Sequence, residues 1–247
     1  MFPAKTVIVS VPPANYSIRL DGTDDHIDCG AVSAIPSASA LTISLWFNST
    51  TNSGNRLLFG DSTSGSVTMS CEWWGNDSLF LELGSPYVKF ENFGNLVSIG
   101  EWYNMIWVYN GSESTASDRV KLYINGTAKS LVVSGTLPTS LSGSIGDFLI
   151  GEDDYYSANG GVNFYGKMDD VAIWDVAIDP DAAAAVYNNG RPFDLTANKG
   201  NYDNSGDLVA YWRMNEGEGT SVVNTANSGT NDGTLVKGTV WDTDVPN

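Results

Sequence analysis

The chain has 247 residues, with 12 Lys and Arg against 29 Asp and Glu and a formal net charge of -17. Recognition of phosphates needs clustered Lys and Arg, so this balance excludes nucleic acid as the main partner. Hydrophobic residues make up 42% and charged residues only 17%, which supplies a packed core and is unlike a disordered acidic tail.

Residues 1–13, MFPAKTVIVSVPP, read as an N-terminal arm. Its short apolar stretch ends at Pro12 and Pro13, below the roughly 7 to 15 residues of a secretory signal core. No apolar run approaches the roughly 18 residues that span a bilayer, so neither signal-driven export nor membrane insertion is expected. Val7-Ile8-Val9 can add a strand to its own subunit or to a neighbour, the second being a route to a homo-oligomer. Residues 14–247 read as one domain, because all-β sandwiches run to about 200 to 250 residues as single units.

Beyond the arm, short β-branched and aromatic runs alternate with Gly, Asn, Asp and Ser. They predict strands at Tyr16 to Leu20, Leu41 to Phe47, Arg56 to Phe59, Val67 to Trp73 and Leu79 to Leu83. Further strands are predicted at Tyr103 to Tyr109, Val120 to Ile124, Phe148 to Ile150 and Val171 to Trp174. In the second run Leu41, Ile43, Leu45 and Phe47 share one face, and Trp46 makes the other partly apolar. Asn125-Gly126 predicts a type I′ hairpin between Val120 to Ile124 and Ala128 to Val133, since both turn residues must take positive φ.

One helix is predicted: Asp179 caps it, Pro180 takes its first position, Ala182 to Ala185 favour it, and Gly190 with Pro192 stops it. Residues 196–207 read as a polar connector before a last structured segment, Leu208 to Met214. Cys29 and Cys71 form no C-x-x-C pair; two buried thiols and a bridge between neighbouring strands both stay open. The single histidine, His26, argues against transition-metal sites and Ser-His or Cys-His catalysis.

Several segments resemble the laminin-G-like, concanavalin A-like lectin/glucanase domains. Tyr16 to Asp28, with its Leu20-Asp21-Gly22-Thr23-Asp24-Asp25 centre, resembles the opening Asp-Gly stretch of that family. Leu41 to Phe47, Trp102 to Gly111, Lys121 to Gly126 and Gly166 to Asp175 resemble its later motifs, in the family's order. Leu208 to Val236 resembles a segment that usually precedes the Asp-Gly motif; here it follows the body, and residues 208–247 are expected to complete the sandwich. The resemblance implies an all-β jelly-roll sandwich of two antiparallel sheets with one short helix. The lectin-like body followed by this tail is similar to structural proteins of marine bacteriophages.

Glucanases of this fold pair carboxylates on one strand, because retaining hydrolysis needs them about 5 to 5.5 Å apart. Glu72 has only the distant Asp77 behind it and Glu82 stands alone, so no catalytic residue is assigned. The resemblance implies a structural calcium held by Asp169, Asp21 and the Gly22 carbonyl; the same aspartates also suit turn hydrogen bonds without metal. Glycan or partner contact is expected at Asp153, Asp154, Tyr155, Tyr156 and Asn163 in the longest polar loop. Trp73 and Trp74 are second candidates, since adjacent strand residues face opposite ways and one should leave the core. The leading expectation is a non-catalytic, lectin-like structural or decoration protein on a virion surface, in contact with capsid proteins and surface glycans. A free or secreted extracellular lectin module is the alternative, and a glycoside hydrolase the minor one.

Overall fold

The structure, a computed structural model, describes residues 15–52, 54–63, 66–75, 77–143, 146–152 and 163–247. The arm, residues 1–13, lies outside them. Chain order runs β1 (Ser17–Asp21), β2 (His26–Asp28), β3 (Ala40–Ser49), β4 (Arg56–Thr63), β5 (Ser66–Trp74), β6 (Ser78–Glu82) and β7 (Tyr87–Glu91) to a single helical turn, α1 (Phe93–Leu96). It continues through β8 (Trp102–Asn110), β9 (Val120–Ile124), β10 (Thr127–Lys129), β11 (Val132–Ser134), β12 (Asp147–Ile150) and β13 (Tyr165–Trp174). A second helix, α2 (Pro180–Tyr187), precedes β14 (Leu208–Trp212), β15 (Ser221–Val222), β16 (Gly233–Val236) and β17 (Val240–Asp242).

The strands form two antiparallel sheets. One has the order β10-β9-β8-β3-β13-β1-β17, with β14 also paired to β13; the other has the order β11-β7-β6-β5-β4-β12-β2-β16-β15. This is the jelly-roll sandwich implied by the sequence. Its core lies between the sheets because alternate residues of each strand point inward: Leu41, Ile43, Leu45 and Phe47 from β3 meet Met69, Cys71 and Trp73 from β5. Both cysteines are buried and free, and burial pushes their thiols up.

The second face of β3 is buried too. Asp179 accepts a hydrogen bond from the Ala182 N–H at 2.8 Å, and Asn188 ends α2 in the left-handed region. The helix lays Ala182, Ala183 and Val186 on Ile106, Val108, Tyr123 and Trp174 of the eight-stranded sheet. Trp46 therefore stacks on Tyr187, with centroids 5.8 Å apart and planes 27° apart, which explains an apolar residue on the outer face of β3.

The Asn125-Gly126 turn forms as expected, with φ of 50° and 68°, but the return strand stops at Lys129. Val132–Ser134 instead crosses to pair with β7 in the opposite sheet. β9 and β10 lie at the edge of their sheet, and the crossing makes a corner of the sandwich. The polar connector differs from expectation at one residue: Tyr202 is fully buried and its hydroxyl accepts from Trp174 Nε1–H at 3.1 Å.

The C-terminal segment is woven into both sheets. β14 pairs with β13, β17 with β1, and β16 with β2. Trp212 stacks on Phe148 of the other sheet at 5.8 Å and 8°, and its indole N–H donates to the Asn231 carbonyl at 2.8 Å. Burying a large apolar side chain of this kind contributes about 1.5 to 3 kcal/mol.

Candidate functional site

The outer face of the nine-stranded sheet differs from that of its partner, because α2 does not cover it. On β5, Met69, Cys71 and Trp73 point into the core, which leaves Thr68, Ser70, Glu72 and Trp74 on the outer face. The tryptophan pair is thus divided. Trp73 is 1% exposed and packs edge-on against Phe93 at 4.9 Å, whereas Trp74 is 51% exposed.

The register extends this face over β6 and β7. Ser70 lies opposite Glu82 and then Tyr87; Glu72 lies opposite Phe80 and then Lys89; Trp74 lies opposite Ser78 and then Glu91. On this three-by-three grid the aromatic residues occupy one diagonal, Trp74–Phe80–Tyr87. Ring centroids are 6.0 Å apart for the first pair and 5.5 Å for the second, with planes inclined by 66° and 58°. Ser70, Glu72 and Glu82 flank the diagonal on one side, and Ser78, Lys89 and Glu91 on the other. The Lys89 ammonium is 2.8 Å from Glu91 Oε1. Apolar rings bordered by hydrogen-bonding groups suit a ligand with an apolar face and a polar rim.

Part of the face is occupied by the chain itself. Gly143 lies against Thr68, so close that a Cβ at that glycine would stand 2.0 Å from the threonine Oγ1. Asn163 bridges to Leu57 on β4 and is 2% exposed. Contact with a ligand through Asn163 is therefore not what the structure offers: its backbone anchors the end of the polar loop. Asp153, Asp154, Tyr155 and Tyr156 lie outside the described residues. Phe80 and Tyr87 were missed in the sequence, although alternation in Ser78-Leu79-Phe80-Leu81-Glu82 already puts Phe80 on a polar face.

Glu72 and Glu82 are brought to one face on adjacent strands. They are diagonal neighbours, a relation that places Cα atoms about 7 to 8 Å apart. Glu72 is nearly buried, and its Oε1 accepts a hydrogen bond from Ser70 Oγ at 3.3 Å.

The expected calcium ligands do not converge. Asp21 pairs with Tyr165 while Ile18 pairs with Met168, so Asp169 stands about four residues, roughly 13 Å, along the ladder from Asp21. Two carboxylates so placed cannot share one ion whose ligands lie about 2.5 Å away. Gly22 takes φ +76° against Tyr165, where a Cβ would meet that residue's Cβ at 2.7 Å. Asp21 instead meets Asp24 and Asp25, with ligand atoms within 4.8 Å of one another. Asp25 Oδ1 accepts from Gly238 N–H and its Oδ2 from Asp21 N–H, while Asp21 Oδ1 accepts from Thr23 N–H. Asp25 is thus committed to the backbone, and the exposed Asp21 and Asp24 are left to meet a cation. These residues fit an open, weak calcium site and not a closed one.

Asp169 belongs to a different cluster. Asp169 and Asp170 are 3% and 7% exposed, beside a cavity of about 280 Å³ that Arg191, Arg213 and Asn215 also line. Burial, and then the charge of Asp170, pushes Asp169 well above the usual carboxylate range. Burial pushes Asp170 up to about 7, against the opposing pull of a short hydrogen bond from the Tyr211 hydroxyl. Two guanidinium groups beside the pair disfavour a metal ion there.

Residues 21–184 match the family model described as the concanavalin A-like lectin/glucanases superfamily. Among solved structures, a Bacteroides ovatus protein provisionally assigned as carbohydrate binding aligns with TM-score 0.64 at 17% identity, over 95% of this chain and 61% of its own. This chain therefore spans less than two thirds of that protein. The heptameric SAP-like pentraxin of Limulus polyphemus aligns with TM-score 0.53 at 19% identity, over 72% and 84%. The CBM40 of a Ruminococcus gnavus IT-sialidase aligns with TM-score 0.50 at 13% identity, over 70% and 96%. No curated protein sequence matches. At these identities the structures share the fold alone, and the family match over most of the length decides membership: the chain belongs to the concanavalin A-like lectin/glucanases superfamily.

Proposed function

We propose that this domain is a non-catalytic glycan-binding module whose ligand lies along Trp74, Phe80 and Tyr87. The observation that carries the proposal is the aromatic diagonal on the outer face of β5, β6 and β7, which reaches solvent at Trp74. The C–H face of a pyranose stacks on the electron-rich face of an aromatic ring, and its hydroxyls find Glu82, Ser78 and Glu91 beside the rings. An exposed tryptophan at 51% has no role in the core that would otherwise account for it. The provisional assignment of the Bacteroides ovatus protein agrees with this class. Calorimetric titration with oligosaccharides tests it: Trp74→Ala should weaken binding by about thirtyfold while the melting temperature stays within a degree or two.

A second reading, glycoside hydrolysis, draws on the juxtaposition of Glu72 and Glu82. Release of reducing sugar that disappears in both Glu72→Gln and Glu82→Gln would favour it over simple binding. Calcium at Asp21 and Asp24 is part of the proposal as a weak stabilising ion of the first loop.

The place of action is proposed as a particle surface, with a free extracellular lectin as the alternative. The sequence resemblance and the composition of the arm support the first. A self-assembling chain that becomes monomeric on removal of residues 1–13 would bear it out, and a monomer of unchanged mass with and without the arm would turn the proposal to the free lectin.

A further inference from the structure

We infer that a pocket beside the C-terminal end of α2, on the outer face of the eight-stranded sheet, is a second binding site that takes a methylated ammonium group. It shares no residue with the face of Trp74, Phe80 and Tyr87 and does not depend on the glycan reading.

Three aromatic rings meet in this pocket. Alternation turns Met105 and Trp107 of β8 inward, so Trp102 faces outward, as Trp46 does on β3. Trp46 stacks on Tyr187, the last residue of α2. With Trp102 they line a pocket of about 420 Å³, the size of a small-molecule site. Trp46 is 3% exposed, whereas Trp102 and Tyr187 are only partly buried, so the latter two rings have surface to offer a ligand. The Trp102 indole N–H donates to Asp244 Oδ1 at 3.2 Å, which fixes the ring and spends its one donor.

Charge decides the class of ligand. Glu101 and Asp244 line the pocket, and among the described residues no basic side chain does. Lys167 lies 2.7 Å from Asp244 Oδ2, so that carboxylate is already neutralised. Glu101 is exposed and has no ion-pair partner among the described residues; its charge is the one left over. The helix adds the same sign, because Tyr187 stands at the negative end of α2 and the last turn holds no basic residue. Asn188, Asn189 and Gly190 then take φ of 46°, 55° and 92°. That bend keeps Asn189 and Gly190 on the pocket and sends Arg191 to the cavity of Asp169 and Asp170. Aromatic faces, a spare carboxylate and a helix C-terminus all attract positive charge. A bare ammonium is strongly hydrated, whereas a methylated one lays carbon on the rings and keeps its charge.

The test is an NMR titration of the full chain, read at the Trp102 indole N–H, whose signal is identified by its loss in Trp102→Leu. The probes are tetramethylammonium, Nα-acetyl-Nε-trimethyl-lysine amide, and the analogue of the latter with carbon in place of the charged nitrogen. Both ammonium probes should shift the signal, and the carbon analogue should bind at least about tenfold more weakly. Glu101→Gln should weaken the ammonium probes by about threefold, and Trp102→Leu, read at the Tyr187 amide, by about tenfold, while Trp74→Ala changes nothing. Tighter binding of the lysine derivative would mark a partner's side chain as the source of the ammonium, and equal affinity a free small cation. A carbon analogue bound as tightly as its charged twin, an indole signal that no ammonium probe moves, or an affinity untouched by Glu101→Gln would overturn the inference and leave glycan binding at Trp74 standing.

Discussion

Asp170→Asn is expected to stabilise the protein at alkaline pH. Asp170 is 7% exposed, lies at φ 45°, and accepts a hydrogen bond from Tyr211. Burial raises its carboxyl from the ordinary 3.8 to about 7, so between those values the native chain holds a proton that the unfolded chain releases. The resulting stabilisation is complete below pH 3.8 and is lost as pH rises through about 7. Each unit in the window is worth about 1.4 kcal/mol, which puts the full loss near 4 kcal/mol. Asparagine keeps the acceptor oxygen for Tyr211, carries no charge, and tolerates the left-handed backbone. Urea unfolding of both proteins at pH 5 and pH 8 makes the comparison. The variant should gain about 3 kcal/mol on the parent between the two pH values. Equal stability differences at pH 5 and pH 8 would refute the claim that this carboxylate is buried at a cost.

Trp212→Ala should destabilise the fold by about 3 to 5 kcal/mol, read in the same unfolding assay, because it removes the stack on Phe148 and leaves the Asn231 carbonyl without its donor. A loss below about 1 kcal/mol would mean that the C-terminal segment is not part of the core. Calcium should bind weakly, with a dissociation constant of about 10⁻⁴ to 10⁻³ M, and terbium luminescence should vanish in Asp24→Asn. Chelator should leave glycan binding unchanged, since β4 and β12 separate β2 and the first loop from β5; calcium-dependent binding would move the glycan site to that loop.

Much of the architecture was legible in period-2 alternation and turn chemistry, because both act over a few residues. The Asn125-Gly126 turn needs positive φ whatever surrounds it, and Asp179-Pro180 starts a helix by local hydrogen bonding. The path after Lys129 was not legible, since the choice between continuing a hairpin and turning to the opposite sheet depends on the edges available to a folded sandwich. The site shows the same division. That one of Trp73 and Trp74 faces outward follows from alternation on one strand. That Trp74 continues into Phe80 and Tyr87 depends on the register of three strands, which no single segment encodes. The proposed pairing of Asp21 with Asp169 failed for the same reason: the residues share neighbouring strands but occupy opposite ends of their ladder.

The most direct measurement is calorimetric titration of soluble neutral oligosaccharides into the full chain, beside Trp74→Ala and Phe80→Ala. A central aromatic contact is worth about 2 kcal/mol or more, so each variant should lose about thirtyfold in affinity. Thermal stability should hold for Trp74→Ala, whose ring lies half in solvent. Binding that survives both substitutions unchanged would contradict the account, because the ligand would then lie elsewhere on the molecule.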